Sequence, residues 1–368
     1  MVSIIQLRLV IFTNMKKSYY KVLGVMSGTS LDGIDLALIH LDHRKGWGFQ
    51  IEVAETVGYS EKMKGMLAAA IDFEPADLHA FNIAYTEYLA KIIGNFISKN
   101  NITNLDAICS HGHTIKHEPQ NGFTLQIGNL EMLSQILKNT VVCDYRVQDV
   151  ELGGQGAPLV PVGDRLLFPG YKYCLNLGGF ANISTEGDGR RIAFDICAVN
   201  TVLNYYAQKL GMEYDRDGNL AATGKLNASL LQELDALEFY SKSAPKSLGI
   251  EWVNSHVLPI LHKYDDDIPG ILNTFSKHIA KQIASCLDND PASEMLVTGG
   301  GCFNSYLMKC LGEATKVQVV IPSAEIINYK EALIFGLLGV LRLREEINVL
   351  SSVTGACRDH SSGRVFVP

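Results

Sequence analysis

Residues 24–39 of the chain read GVMSGTSLDGIDLALI, a turn rich in glycine, serine and threonine between two apolar segments. Gly28 and Gly33 would allow the backbone to approach an anion and to adopt positive φ, and N–H groups in such a turn can bind phosphate. Asp32 and Asp35 would hold a magnesium ion directly or through water. An ordinary β-hairpin uses the same residue types to satisfy its turn. Composition alone therefore leaves two interpretations open, a phosphate-binding hairpin and a plain one.

The length and composition of the chain predict a compact protein with two lobes. Its 368 residues suffice for two domains, and a content of 47% hydrophobic and 19% charged residues argues against a disordered or fibrous chain. The formal net charge of -7 is modest and no long basic run occurs, so nucleic acid is not an expected partner. A small polar ligand in a cleft between lobes is the better expectation.

The cysteines and the N-terminal residues bear on the location of the protein. Eight cysteines are scattered without a CxxC pair, which is typical of reduced cysteines in a cytoplasmic protein. The apolar run at 2–12 is interrupted by Gln6 and Arg8 and is too short to span a bilayer, so no membrane association is expected. We expect Met15, which is followed by Lys-Lys-Ser, to be the native start.

Periodicity predicts an α/β lobe with a mixed sheet after the opening turn. Apolar residues at helical spacing predict a long helix over 76–98. Short apolar runs predict the remaining elements, which are strands at 49–59, 105–110, 123–127 and 141–145 and a short helix over 130–137.

A break rich in glycine and proline at 151–164 predicts the segment between two lobes. The pattern then starts again, with an apolar run around a glycine pair in CLNLGGFANIS (174–184) and a second strand at 191–196, which suggests a duplication. Beyond these, helices are predicted over 202–210, 225–239, 271–287 and 330–343. The predicted lobes are 15–150 and 151–345, with a tail over 346–368 that packs back on the first lobe.

The opening turn closely resembles the first motif of the anhydro-N-acetylmuramic acid kinases, a branch of the superfamily of actin, Hsp70 and sugar kinases. The resemblance implies a two-lobed actin-like ATPase (ribonuclease H-like) fold, with an active-site cleft between the lobes and MgATP as phosphate donor. It further implies that two hairpins contact the phosphates of ATP. The residues so implied are Gly28, Thr29, Ser30, Leu31, Asp32, Gly33, Ile34 and Asp35 in the first hairpin, and Gly178, Gly179 and Asn182 in the second.

Asp195 ends the strand RIAFDI and precedes a helical pattern that begins near Asn200. A carboxylate at a strand end can face a cleft, where desolvation would raise its pKa and suit it to general-base catalysis. Spacing alone favours a different interpretation, an acid that stabilises the dipole of the following helix. The resemblance implies the catalytic role, because the family carries an aspartate here in a DTGPGN segment and uses it to activate water.

The chain departs from the family at this point, since residues 195–200 read DICAVN. The aspartate and the asparagine are retained, but Ala198 and Val199 would tolerate close backbone approach less well than the glycine and proline of the family segment. Two interpretations follow: a subfamily with a repositioned loop, or a protein with altered or lost catalysis.

Residues 298–304, TGGGCFN, follow an apolar strand and precede a helical pattern. Three consecutive glycines suit the flat face of an adenine ring, and the adenosine motif of the superfamily has this form, which implies that Gly299, Gly300, Gly301 and Asn304 bind ATP. The alternative is a flexible loop with Asn304 as the N-cap of the next helix.

Three further segments are implied to bind the sugar. SHGHTIKH (110–117) gives a weak zinc signal, because it lacks cysteine or carboxylate ligands at suitable spacing. It resembles the family's SHGQT, which implies that His113, in place of glutamine, and Thr114 recognise the sugar.

Arg146 stands in a segment matching the family's DFR and could pair with the lactyl carboxylate through its planar fork. Glu331 matches the family's KEA pattern and is implied to contact the sugar, although an acid in a first helical turn also stabilises the helix dipole.

The resemblance extends from about Val22 to Ala356, including GGQGAPLVP at 153–161 and VTGA at 353–356. It implies a kinase that opens 1,6-anhydro-N-acetylmuramic acid with water and phosphorylates O6, in the recycling of cell-wall peptidoglycan. The departure after Asp195 motivates one alternative, a sensor that binds nucleotide and sugar without turnover. His113 motivates another, a kinase for a different amino or anhydro sugar. A homodimer is a further expectation, since many relatives look like dimers.

Overall fold

The computed structural model describes residues 17–28 and 31–368. Residues before Lys17, including the expected start at Met15, and the hairpin residues Thr29 and Ser30 lie outside the described residues. The chain forms two compact units. The first contains the chain up to Phe168 and again from Tyr329 onwards, and the second contains Pro169–Asn328.

The first unit has a six-stranded sheet in the order β13-β7-β4-β1-β2-β3. Strands β1 to β3 form an antiparallel meander, β4 and β7 run parallel to β1, and β13 pairs antiparallel with β7. A separate hairpin is formed by β5 and β6. The strands are β1 (Tyr19–Ser27), β2 (Gly33–Asp42), β3 (Gly48–Gly58), β4 (Ala107–Ser110), β5 (His113–Glu118), β6 (Phe123–Ile127), β7 (Val141–Cys143) and β13 (Arg364–Phe366).

Helices cover this sheet, and the longest one follows the amphipathic pattern seen in the sequence. Helix α2 begins at Pro75, where a missing N–H costs nothing, and buries Phe81, Tyr85 and Leu89 against the sheet core. The helices of the first unit are α1 (Glu61–Ala69), α2 (Pro75–Lys99), α3 (Met132–Leu137), α4 (Val147–Glu151), α5 (Val160–Leu167), α13 (Ala324–Leu343), which begins in the second unit, and α14 (Ser351–Thr354).

Strand β1 and helix α13 pack backbone against backbone. A Cβ atom at Gly24 would lie 2.0 Å from the carbonyl oxygen of Ala332, so only glycine allows this approach. The contact places the part of α13 around Ala332 beside β1, three residues before that strand ends at Ser27.

The second unit repeats the architecture of the first. Its five-stranded sheet has the order β10-β9-β8-β11-β12, with β8 to β10 antiparallel and β11 and β12 parallel to β8. The five strands β3-β2-β1-β4-β7 of the first unit follow the same order and directions. The strands are β8 (Tyr173–Leu177), β9 (Phe180–Gly187), β10 (Arg190–Ala198), β11 (Glu294–Thr298) and β12 (Gln318–Val320). The predicted α/β class is confirmed, and the shared strand order agrees with the duplication that the sequence suggested.

The core of the second unit is built around α11, whose residues Ile271, Phe275, Ile279 and Ile283 are fully or almost fully buried. Asp267 caps this helix by accepting a hydrogen bond of 2.9 Å from Gly270 N–H. The helices of this unit are α6 (Asn200–Gln208), α7 (Asn219–Thr223), α8 (Ala228–Asp235), α9 (Ile250–Trp252), α10 (Leu258–Leu261), α11 (Ile268–Ser285) and α12 (Ser305–Ala314). None of the helices in the described ranges is both long and apolar enough to cross a lipid bilayer.

The limits of the compact units, Phe168 and Tyr329, differ from the lobe boundaries of 150 and 345 expected from the sequence. The difference arises because α5 and α13 pack together within the first unit. Lys330 Nζ lies 2.7 Å from Asp164 Oδ1, both side chains are buried, and a Cβ at Gly163 would contact the side chain of Ile334. In the C-terminal tail, β13 adds a strand to the sheet of the first unit.

Candidate active site

The opening hairpin connects β1 to β2, and Gly33 acts differently from the expectation. The left-handed residue of the described turn is Leu31, with φ of 61°, and its N–H donates to Gly28 O over 3.3 Å. Gly33 does not adopt positive φ. Glycine is required there because a Cβ would lie 2.5 Å from Val57 O in the neighbouring strand. Ile34 is buried in the core, so a contact of this residue with ATP could involve only its backbone.

The two carboxylates of the hairpin stand close enough to affect each other. Asp35 lies opposite Thr56 in β3, and the Thr56 hydroxyl donates a 2.6 Å hydrogen bond to its Oδ1. Burial raises the pKa of the Asp35 carboxyl, and the hydrogen bond from Thr56 lowers it. The charge of Asp32 raises this pKa further. Asp32 itself is exposed. Two neighbouring carboxylates, one of them solvent-accessible, are a donor set that suits Mg²⁺.

Glu331 on α13 belongs to the same group of charges. Desolvation raises the pKa of its carboxyl, the charge of Arg146 opposes the rise, and the charge of Asp35 adds to it. The Glu331 side chain nevertheless reaches solvent. The two observations are compatible because a carboxylate can touch water on one side while protein surrounds it on the others. Within the first unit, charge effects therefore link Asp35 to Asp32 and to Glu331, and Glu331 to Arg146.

Arg146 is held by two acceptors. Its Nε donates to His111 Nε2 over 2.9 Å, and its Nη1 donates to Gly156 O over 2.7 Å. The His111 Nδ1 lies 3.0 Å from Gly112 O, so Nδ1 carries the proton and the ring is neutral. Burial and the Arg146 charge accordingly keep the pKa of His111 well below its usual value. Burial lowers the pKa of Arg146 itself to about 10, so it remains a cation at neutral pH.

His113 and Thr114 occupy different environments. His113 is buried, its Nδ1 lies 2.7 Å from Ser27 Oγ, and that hydroxyl continues to Tyr59, 2.7 Å away. Burial lowers the pKa of His113 to about 4, which makes the ring neutral at physiological pH. Thr114 is half-buried and accepts a long bond of 3.4 Å from Gln126. Across residues 17–28 and 31–368, no group of three His, Cys, Asp or Glu side chains is arranged to hold a metal on its own.

The sequence suggested that Asp195 lies at the end of its strand. In the structure Asp195 lies inside β10, in the second unit. The strand continues to Ala198 past a β-bulge between Asp195 and Cys197. This placement argues against a helix-capping role, because α6 begins only at Asn200. Asp195 Oδ2 accepts a 2.8 Å bond from Leu248 N–H, and its own N–H donates to Lys246 O over 2.9 Å. Burial raises the pKa of the Asp195 carboxyl, and the Leu248 N–H opposes the rise.

The loop at 196–199, which departs from the family motif, is hydrogen-bonded to the glycine pair of the second hairpin. The N–H of Val199 donates to Gly179 O over 2.8 Å, and the hydroxyl of Thr201 donates to the same oxygen over 2.9 Å. The side chains of Ala198 and Val199 are fully buried in the core. The substituted side chains therefore point away from solvent, and Gly179 is exposed beside them.

A row of polar residues crosses the second sheet at Asp195. Asn182 of β9 pairs with Asp195 on one side and with Asn176 of β8 on the other, so the three residues occupy adjacent positions on the sheet. Asn182 is exposed, and Asn176 and Asp195 are half-buried. Sequence reasoning missed Asn176. Its signal was a polar residue within the otherwise apolar run CLNL, next to the glycine pair.

Two glycines of the run after β11 are closely packed against β8. A Cβ at Gly299, which has φ of 84°, would lie 2.7 Å from Asn176 Oδ1, and one at Gly301 would lie 2.8 Å from Leu177 Cβ. Only Gly300 of the three is exposed. Asn304 caps α12, because its Oδ1 accepts a 2.9 Å bond from Leu307 N–H. The structure thus contains the capping interaction that the alternative interpretation expected.

Comparison with known proteins gives a consistent result. The family model described as anhydro-N-acetylmuramic acid kinase matches residues 20–368. The protein of that name from Pseudomonas savastanoi pv. phaseolicola is 34% identical over 318 residues, which cover 83% of this chain and 85% of the relative. The one from Haemophilus influenzae is 31% identical over 387 residues, which cover 96% of this chain and 99% of the relative.

Among solved structures, component A of (R)-2-hydroxyglutaryl-CoA dehydratase from Acidaminococcus fermentans aligns with a TM-score of 0.46 at 15% identity. The alignment covers 89% of this chain and 99% of that one.

Proposed function

Because the chain belongs to the anhydro-N-acetylmuramic acid kinase family, we propose that it uses ATP to convert 1,6-anhydro-N-acetylmuramic acid to N-acetylmuramic acid 6-phosphate in cell-wall recycling. The observation that carries the proposal is the state of Asp195. Its carboxylate is desolvated, and it is oriented by a backbone N–H from Leu248. A general base needs both properties, a raised pKa and a fixed direction.

The proposed reaction has one hydrolytic and one phosphoryl-transfer component. Asp195 takes a proton from a water molecule whose oxygen attacks the anomeric carbon of the sugar. The bond between C1 and O6 breaks, and O6 takes the γ-phosphoryl group of ATP while ADP leaves. Positioning and charge neutralisation dominate phosphoryl transfer, so the two hairpins contribute as much as the base.

For ATP, the proposed contacts are backbone N–H groups and the exposed side chains of the two hairpins. Gly28, Leu31 and Gly33 belong to the first hairpin and Gly178 and Gly179 to the second. Exposed Gly300 is the member of the third glycine motif that offers an open surface. Asp32 would hold Mg²⁺, directly or through water, and Mg²⁺ would neutralise phosphate charge. Gly299, Gly301 and Asn304 have packing and capping roles as well, and we propose that they contact ATP through the loop that they shape.

For the sugar, we propose contacts from the first unit. Arg146 is a cation with two of its nitrogens already oriented, which suits it to a carboxylate such as the lactyl group. Glu331, beside it, would accept hydrogen bonds from sugar hydroxyls. His113 would act mainly through the hydrogen-bonded chain to Ser27 and Tyr59, and Thr114 through its hydroxyl. A cytoplasmic location and a homodimer remain predictions.

The test is ADP release by the purified protein with MgATP, with and without the anhydro sugar, and identification of the product by mass spectrometry. We expect sugar-dependent ADP release and a product that has gained both water and a phosphoryl group. Binding of ATP and sugar without turnover would favour the sensor, which the altered loop at 196–199 motivates. Turnover restricted to another amino or anhydro sugar would correct the substrate and keep the reaction class.

A further inference from the structure

The carboxylate of Asp149 on α4 is completely buried, and two donors hydrogen-bond to it, one of them from the distant C-terminal segment. Gly156 N–H donates to Oδ2 over 2.6 Å, and the Thr354 hydroxyl donates to Oδ1 over 2.7 Å. His360 Nε2 lies 3.6 Å from the same Oδ1. A buried carboxylate is costly unless it is hydrogen-bonded, so these donors must stay in place for the charge to be tolerated.

The buried carboxylate determines the path of the glycine-rich segment 153–156. A Cβ at Gly154 would lie 2.3 Å from Asp149 Oδ2, and Gly156 adopts φ of 67°. The segment therefore wraps directly around the carboxylate. The carbonyl of Gly156, whose N–H is bound by Asp149, is the acceptor for Arg146 Nη1 at 2.7 Å.

The guanidinium of Arg146 is thus fixed at two points. His111 accepts from Nε, and the Gly156 carbonyl accepts from Nη1. Hydrogen bonds from Arg146 to the described residues leave Nη2 unused, so this nitrogen and the second hydrogen of Nη1 can serve a ligand. A guanidinium held in this way presents a planar pair of donors that matches a carboxylate.

We propose that Asp149 and Thr354 are positioning residues that orient Arg146 to recognise the carboxylate of the sugar substrate. The inference rests on the proposed function and deepens it, because it assigns substrate selection in part to the C-terminal segment that carries Thr354. Thr354 lies 205 positions from Asp149 in the sequence and is almost completely buried. It acts through Asp149, the Gly156 carbonyl and Arg146.

The decisive variant is Thr354→Val, which removes one hydroxyl at nearly constant volume. Thr354→Ser retains the hydroxyl and serves as rescue. Thr86→Val is the matched control, because Thr86 is also fully buried in the first unit and its hydroxyl donates to Asn82 O over 2.7 Å, away from this network. Each variant is assayed with the anhydro sugar acid and with its methyl ester, which lacks the charge.

For Thr354→Val we expect KM for the acid to rise about tenfold while kcat stays nearly unchanged. This rise corresponds to a loss of about 1.4 kcal/mol in the discrimination between the acid and the ester. The ester should be turned over with unchanged kcat/KM, and the Ser variant and the Thr86 control should match the parent. A purely structural role would reduce activity on both sugars equally. Equal losses, or no change at all in a folded Thr354→Val protein, would overturn the proposal.

The proposed function is tested separately from the positioning role, by assays of the parent protein alone. If the parent releases no ADP with either sugar, calorimetric binding of the acid and the ester replaces the kinetic readout, and the same preference for the acid and its loss in Thr354→Val are expected. A parent that neither turns over nor binds the acid would overturn both proposals. A parent that turns over the acid, with discrimination unaffected by Thr354→Val, would overturn the positioning role alone.

Discussion

Leu248 donates its backbone N–H to Oδ2 of Asp195 over 2.8 Å, although 53 positions separate the two residues. Leu248 lies in the segment 242–249, which forms neither helix nor strand. Its contact with the carboxylate makes it part of the environment of the proposed base.

Replacement of Asp195 by Asn should reduce turnover of the anhydro sugar by about 10²- to 10⁴-fold, the range that general-base catalysis contributes. The amide keeps the size of the side chain but cannot take the proton from water. Binding of ATP, measured by calorimetry, should remain close to that of the parent. Asp188→Asn, at an exposed turn between β9 and β10, is the control, and a near-normal rate for Asp195→Asn would refute the assignment.

Replacement of Leu248 by Pro should shift the acid limb of the pH profile of kcat/KM to higher pH. The Leu248 N–H lowers the pKa of Asp195, so its loss raises that pKa, and the base then becomes protonated at a higher pH. Leu248→Ala removes the side chain and keeps the N–H, so its profile should coincide with that of the parent. A shift of equal size in both variants would show that the N–H is not responsible.

Replacement of Asp32 by Ala should raise the concentration of Mg²⁺ needed for half-maximal activity by about tenfold, because one carboxylate ligand or water partner is lost. The expected effect is measured by titrating Mg²⁺ at saturating ATP and sugar. Asp72→Ala removes an exposed carboxylate elsewhere in the first unit and should leave the titration unchanged. An unchanged titration for Asp32→Ala would point to another metal ligand.

Replacement of Lys330 by Met should lower the free energy of unfolding by about 3 kcal/mol, since it removes the ammonium that faces the buried carboxylate of Asp164. The side chains of this pair are only 7% and 5% exposed. Lys64→Met breaks an ion pair of 3.0 Å with Glu61 on the surface and should change stability by less than about 0.5 kcal/mol. Urea denaturation of both variants gives the comparison, and similar values would contradict the prediction.

The elements that the sequence predicted best are those with strong local patterns. The opening hairpin, the long helix α2 and the α/β class follow from turn chemistry and from hydrophobic periodicity, which depend on near neighbours. The position of Asp195 was missed for the same reason. Strand β10 continues past the bulge to Ala198, two residues beyond the expected end at 196, and a bulge leaves no mark in an apolar run.

The glycines show a second limit of sequence reasoning. The same residue type serves backbone freedom and close packing, and the two uses look identical in the sequence. Gly33 and Gly301 are glycines because other chain segments approach them, at Val57 and Leu177, and neither approach is encoded locally. The connection from Thr354 through Asp149 to Arg146 was hidden for a related reason, since it depends on contacts between residues far apart in the sequence.

The interruption of the first unit by the second has a consequence for the order of assembly on the ribosome. Residues 169–328 form a continuous unit and can become structured while the rest of the chain is still being synthesised. The first unit must wait for α13, for Thr354 and for β13, which closes the edge of its sheet. Until those residues emerge, the carboxylate of Asp149 lacks a donor and the edge of β7 stays unpaired. The nascent first unit should therefore depend on chaperones longer than the second.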